Sequence, residues 1–357
     1  MAPAPTSLFV AASALLGSAA GLRARAVQES EKACGADDVN FAKITANSCG
    51  INWIISGRNR QNLSMASEVG EQPGCWKMRA YNTDKFLSST LYQNERDGRC
   101  IIGVSGYHGA LAGYIRGGIS VVSPPRTWNV CGAEMFAPYV RLFRHHTKLG
   151  NWSKIINFIA GPDSSCKGEL ALTAESMGGA SGEMLAYCAN AGRLHELQDA
   201  SLPNFTLQTL YTFGSQASAR QPLTNRFRED GCFKGKRIFF SLDALSHVNL
   251  VFNMKHARMD AVEIWQGKPV AVKVYECKSK TAVNDNMHKK PAPLKNLTMN
   301  TKSHDLVQHS VDDYASVMEM MHSAGLDAIF DEPPVSDHPP ESVAGKYLSM
   351  MSEQKHF

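Results

Sequence analysis

Three residues of types that can carry out acyl transfer together lie along the chain in the order Ser176, Asp243, His309. A serine hydroxyl is a weak nucleophile until a base takes its proton, and that base must be held in one tautomer by a buried acid. Ser176 stands in Ala174-Glu175-Ser176-Met177-Gly178, after a short apolar run, Leu170-Ala171-Leu172. Beyond it Met177, Ala180, Ser181, Met184, Leu185 and Cys188 recur at the spacing of one helical face. The stretch therefore reads as strand, sharp elbow, helix. An elbow of this kind lifts the serine hydroxyl clear of the sheet, and the helix behind it points backbone N–H groups at the atom under attack. Strand and helix pass closely there, and Ala174, Gly178, Gly179, Ala180 and Gly182 supply the small residues required. A serine among small residues is also ordinary in strand-to-helix turns, so the rest of the chain has to decide.

Asp243 is the best-placed acid. It follows the apolar strand Arg237 to Leu242 (RIFFSL), where a loop at the carboxyl edge of a sheet would start; the same residue would also cap a turn. His309 is the best-placed base, ahead of the apolar turn of the last helix, although His304 lies in the same stretch. His145 and His146 fall in a helix before the serine and read as exposed. His108 and His247 take structural or rim roles.

The elements that must position these residues can be read in chain order. Trp76 to Tyr81 alternates as a strand, and Cys100 to Val104 is an apolar central strand ending in the turn Ser105-Gly106-Tyr107-His108-Gly109. Ala110 to Gly118, bracketed by glycines, fits either a hinged lid or an ordinary packed segment. Ile119 to Ser123 reads as a strand closed by Pro124-Pro125. Ala133 to Leu149 has an amphipathic pattern through Met135, Tyr139, Leu142 and Phe143, and tolerates Pro138 only near its start. After the elbow helix come strands at Leu207 to Gly214 and Arg237 to Leu242, then a hairpin of Val262 to Trp265 and Pro269 to Tyr275. Lys278 to Lys302 is a solvated loop and Leu306 to His322 the last helix. Strands interspersed with helices predict an α/β fold with a mainly parallel central sheet and helices on both faces.

Composition narrows the function classes. A formal net charge of +4 with 20% charged residues gives no footprint for nucleic acid or a polybasic membrane anchor. No run approaches the ~18 apolar residues of a membrane span, so no transmembrane segment is expected. Ser7 to Gly21 is an apolar run of signal-peptide length followed by small residues, which makes residues 1–26 a leader and the protein secreted. The N-x-S/T sites at Asn62, Asn151, Asn204 and Asn296 suit that route. Residues 27–330 then form one domain, and 331–357 a proline-rich tail. The nine cysteines show no CxxC pair and no metal spacing with histidine, so zinc is not expected. Several would pair in an oxidising compartment, and the odd number leaves at least one free. Cys188, on the apolar face of the elbow helix, is the expected buried thiol.

Several segments, in order, make the chain from about Cys75 to Met321 resemble the class 3 (fungal-type) lipase family of the α/β-hydrolase fold. LTAESMGGASGEMLA resembles the family's nucleophile elbow, LYTFGSQASA its TFG-x-P-R segment, RIFFSLDAL the strand delivering its acid, and HSVDDY its His-x-x-x-x-Tyr end piece. VCGAEMFAPYV is similar to the glycine-led helix before the elbow. The resemblance implies a serine ester hydrolase acting on lipid or other acyl esters, with transient contact to a lipid interface and no cofactor or metal. It implies Ser176 as nucleophile, Asp243 as orienting acid and His309 as general base. The backbone N–H of Met177 becomes one oxyanion donor, with Tyr107 in the place of the second. Two positions depart from the family pattern: Glu175 stands where the family has histidine, and Ser105-Gly106-Tyr107 replaces its Arg-Gly-Thr/Ser turn. A phospholipase or carboxylesterase of the same fold, and a lipid-binding relative without turnover, remain open alternatives.

Overall fold

The computed structural model describes residues 75–84, 86–106, 126–241, 243, 246, 253–265 and 271–277, together with Phe41, Ile44 and Thr45. Its first strands are β1 (Trp76–Thr83), β2 (Ser88–Asn94) and β3 (Cys100–Ser105), followed by a hairpin of β4 (Thr127–Val130) and β5 (Ala133–Phe136). Helices α1 (Ala137–His146) and α2 (Gly150–Ala160) come next. Then β6 (Ala171–Glu175) leads directly into α3 (Ser176–Asn190). Strands β7 (Thr209–Phe213), β8 (Lys236–Phe240), β9 (Asp260–Trp265) and β10 (Ala271–Tyr275) complete the order.

Eight of the strands form one sheet in the order β1-β2-β3-β6-β7-β8-β9-β10. The five central ones, β3 to β9, pair in parallel. β1, β2 and β10 are antiparallel additions at the two edges. Parallel strands buried on both faces read as near-continuous apolar runs, and β3, buried at all six positions, is apolar up to Ser105. Side chains then alternate to two cores. Ile102, Val104, Leu172, Ala174 and Leu210 face the layer of α1, α2 and α3. Ile101, Ala171, Tyr211, Phe213, Ile238 and Phe240 face the other way, where Phe41 stacks on Tyr211 at 4.1 Å. This is the α/β fold with a mainly parallel central sheet that the alternation of strands and helices predicts.

Helix α3 differs from its expected form. The spacing predicts one apolar face, yet all fifteen residues are buried. The helix lies between the sheet strands β3, β6 and β7 and helix α1 and is covered all round. The expected helix from Ala133 is also shorter: Met135 belongs to β5, and α1 begins only where Pro138 occupies its first turn, since proline cannot be accommodated further inside.

Cys188 is not a free thiol. It is bonded to Cys131, fifty-seven residues earlier, and ties the β4–β5 turn to the end of α3. In the chain-entropy account a loop of that length is worth about 4 kcal/mol. Cys100–Cys166 and Cys232–Cys277 are also bridged, and Cys75 is disulfide-bonded as well. Asn204 lies exposed after α3 and Asn151 half-buried in the first turn of α2. No helix among the described residues is long and apolar enough to cross a membrane. The expected leader and tail, the segment Ala110 to Gly118, the strand at Ile119 to Ser123, the lysine-rich loop and the last helix lie outside the described residues.

Candidate active site

The junction of β6 and α3 has no linking residue: Glu175 is still extended (φ −133°, ψ 146°) and Ser176 already starts the helix. The whole change of direction falls on Ser176, which sits at φ +56°. An L-residue pays on the order of 1–2 kcal/mol for that left-handed conformation. Two glycines let the elbow close. A Cβ on Gly178 would lie 2.5 Å from the Ser105 carbonyl carbon, so α3 can cross β3 only without one. A Cβ on Gly106 would lie 3.0 Å from the backbone nitrogen of Met177 and 3.1 Å from that of Gly178, filling the ground in front of those N–H groups.

That ground has the properties of an anion site. The first turn of α3 has no acidic residue and no side-chain cap, so its amides and the helix dipole present partial positive charge there. Met177 itself is buried, with its side chain in the helix-side core. Ser105, which ends β3, pairs in register with Glu175, so the β3 end and the elbow stand side by side at the carboxyl edge of the sheet. Asp243 reaches the same edge from β8, two strands from β6 and so about 10 Å across the sheet. It is fully buried, and its Oδ1 accepts the Ser246 N–H at 3.3 Å. Ser176, Met177 and Asp243 are thus gathered at one edge of the sheet. His309 and Tyr107, with His304, His108 and His247, lie outside the described residues. Glu175 is buried at the end of β6, beside the serine.

Behind the elbow a second group of polar residues is sealed in the helix layer. Glu183, two turns along α3, accepts hydrogen bonds from Ser215 Oγ (3.1 Å), Ser218 Oγ (2.8 Å) and the Ala257 N–H (3.1 Å). Its Oε1 also lies 2.9 Å from His256 Nδ1. Burial, reinforced by the nearby Arg237 charge and only partly offset by Glu183, lowers the His256 pKa to about 4. Its imidazole is therefore neutral near pH 7, with the proton on Nδ1. This network fixes α3 to the strand ends after β7 and before β9, and it gives no local signal in the sequence.

A further Ser/His/Asp set is present that sequence reasoning missed. His146, expected to be exposed, is fully buried at the end of α1. Its Nδ1 lies 3.1 Å from Asp84 Oδ2 and its Nε2 2.8 Å from Ser89 Oγ. Burial pushes the Asp84 carboxyl up, but the hydrogen bond and charge of His146, with the N–H groups of Phe86 and Leu87, outweigh it and hold it below its ordinary value. The ring thus joins Asp84 through Nδ1 to Ser89 through Nε2, and Asn82 Nδ2 lies 3.2 Å from that same Nε2. Ser89 lies within a strand and is fully buried, with Leu87 and Leu91 flanking it on the helix-side face. No group of His, Cys, Asp and Glu among the described residues could hold a metal ion.

No family model matches the chain, and no curated protein matches it in sequence. Solved structures do. The chain is similar to a lipase from Rhizopus microsporus var. chinensis at 16% identity, over 70% of this chain and 80% of that one, with a TM-score of 0.44. It is similar to lipase II from Rhizopus niveus at 15% identity, over 67% and 81% of the two chains, with a TM-score of 0.41. With the Rhizomucor miehei lipase in its propeptide complex the identity is 15%, the coverage 69% and 72%, and the TM-score 0.43.

Proposed function

We propose that this protein is a secreted serine ester hydrolase that cleaves acyl esters of lipids through an acyl-enzyme. Ser176 Oγ attacks the ester carbonyl carbon as His309 takes its proton. The oxygen, now negative, is held by the Met177 N–H and a second donor at Tyr107. Collapse breaks the bond to the alcohol, which leaves with the proton from His309. Water repeats the sequence on the acyl-serine and regenerates the hydroxyl. Asp243 holds the imidazole in its tautomer and stabilises the imidazolium as it forms. Residues 1–26 are the leader, 27–330 the hydrolase domain and 331–357 a tail. The disulfides support passage through an oxidising compartment.

The observation that carries this reading is the φ of +56° at Ser176, a strained serine on a helix N-terminus at the carboxyl edge of a parallel sheet. Backbone strain of this kind is kept where surrounding structure imposes it, and it concentrates at reactive residues. The test is Ser176→Ala assayed against a series of acyl esters. A protein that retained most of its hydrolysis would overturn the reading. A second reading rests on Glu175, a buried carboxylate beside the nucleophile: a lipid-binding protein of the same fold without turnover. It predicts saturable binding of a lipid ester with no burst of product. Phospholipid and neutral esters compared with and without an interface separate lipase from phospholipase or carboxylesterase.

A further inference from the structure

Two Asn-x-Ser/Thr triplets fall among the described residues, Asn151-Trp152-Ser153 and Asn204-Phe205-Thr206, and the fold treats them differently. Asn62 and Asn296 lie outside those residues. Such a triplet takes an N-linked oligosaccharide where the carboxamide and the hydroxyl two residues on can be approached together, which asks for a surface loop. Asn204 meets that requirement. It lies in the irregular segment between Leu202 and β7, where Asn204 to Leu207 run exposed, buried, exposed, buried, the alternation of an extended chain. Asn204 and Thr206 therefore share the solvent side, and neither side chain has a hydrogen-bond partner among the described residues.

The segment is held from the inside. Phe205 is buried in the helix-side core. Leu207 is fully buried, its N–H donating to Asn190 Oδ1 at 2.8 Å and its carbonyl accepting from Asn190 Nδ2 at 2.5 Å. The outward pair thus keeps its place without any bond from Asn204 or Thr206. Asn151 is the opposite case. It is the second residue of α2 and half-buried. Residues two apart on a helix do not face each other, so Asn151 and Ser153 cannot be approached together. Ser153 Oγ donates instead to the Gly150 carbonyl at 2.8 Å. Trp152 between them is fully buried, its Nε1–H donating to Gln198 Oε1 and its backbone N–H to the Leu149 carbonyl, both at 3.0 Å. The acceptor geometry at Asn151 exists only before α2 forms, whereas at Asn204 it survives folding.

We propose that Asn204 is an N-glycosylation site of this protein and that Asn151 is not. The donor is an oligosaccharide carried on a polyprenyl diphosphate. Asn204 Nδ2 forms a bond to the anomeric carbon of the first sugar as the bond from that carbon to the diphosphate oxygen breaks. The diphosphate leaves with the bonding pair on its polyprenyl carrier, and Nδ2 gives up one proton to a base of the transferase, so nothing is oxidised or reduced. Occupancy rests on the secretion in the proposed function and not on ester hydrolysis.

The test expresses the full chain in a eukaryotic secretory host, once with its own amino terminus and once with an established secretory leader fused ahead of it. Peptides are mapped by mass spectrometry before and after enzymatic removal of N-glycans. The peptide containing Asn204 should carry glycan in most molecules, and the peptide containing Asn151 should be bare. Asn204→Gln and Thr206→Val, both exposed changes, should each abolish the modification at residue 204; Thr206→Ser should retain it, and Asn151→Gln should leave the glycan content unchanged. Glycan on Asn204 behind the fused leader but not with the chain's own amino terminus supports the site and contradicts secretion alone. A bare Asn204 peptide behind the fused leader, in protein whose Cys131–Cys188 bridge has formed, overturns the inference, as does glycan on Asn151 in most molecules.

Discussion

Ser176 and Ser89 stand near the same edge of one sheet, on β6–α3 and on β2, with β3 between them. Ser89 has what a list of residue types would ask for: an imidazole at 2.8 Å whose far nitrogen faces a depressed carboxylate at 3.1 Å. It lacks everything else. Ser89 is in register within an antiparallel ladder and fully buried, and the helix end it meets, at His146, is the carboxyl end of α1. Ser176 is at φ +56°, 6% exposed, at the first position of an uncapped helix whose N–H groups face the end of β3. In the proposed function, then, the hydrogen-bond order of a triad is not sufficient for chemistry. A backbone that presents the hydroxyl and a field that receives the oxyanion are what separate a reactive serine from a structural one.

Substitutions can break or sharpen that contrast. The largest expected effect is on turnover: Ser176→Ala should lower ester hydrolysis by about 10⁵ to 10⁶, as for other triads that act as a unit, whereas Ser89→Ala should leave folded protein within tenfold of the parent. Steady-state kinetics on a soluble acyl ester compares the two. Next comes stability. Asp84→Ala leaves His146 buried without its acid and frees the N–H groups of Phe86 and Leu87, which should cost about 3–5 kcal/mol in urea unfolding. Activity per folded molecule should not fall with it.

A third expectation concerns pH. His256 has a folded pKa lowered from 6.5 to about 4, so the unfolded chain binds the proton first as pH falls. The stabilisation is complete above about pH 6.5 and lost progressively down to about pH 4, on the order of 3 kcal/mol in all. The depressed carboxyl of Asp84 adds a further loss below its ordinary 3.8. Melting temperature against pH should show the first slope, and His256→Asn should flatten it. The smallest effect has opposite signs at the two serines: Ser176→Gly should raise stability by up to about 1 kcal/mol through release of strain, and Ser89→Gly should lower it by about 1–2 kcal/mol. Chemical denaturation of the pair reads both.

Much of the sheet was legible because β3, β6 and β8 carry or adjoin short apolar runs (Cys100 to Val104, Leu170 to Leu172, Ile238 to Phe240) and β7 alternates. β2 was not, because Ser88-Ser89-Thr90 reads as polar; its hydroxyls are satisfied inside, Ser88 by Ser105 at 2.6 Å and Ser89 by His146. Ser176 and Asp243 could be picked out since each follows an apolar strand at a change of pattern. His146 could not be told from the exposed His145 next to it, as its partners Asp84 and Ser89 lie about sixty residues away. Cys188 was misread for the same reason, with Cys131 brought to it by the β4–β5 turn. Local pattern reports burial; it does not report who meets whom across the fold.

The central claim is that one serine of this chain is activated and that it is Ser176. Labelling the folded protein with a fluorophosphonate and mapping the modified peptide by mass spectrometry tests it most directly. The account predicts label on the peptide containing Ser176, abolished in Ser176→Ala, with the Ser89 peptide unmodified. Label on the Ser89 peptide, or none on folded protein with and without a detergent interface, would contradict it.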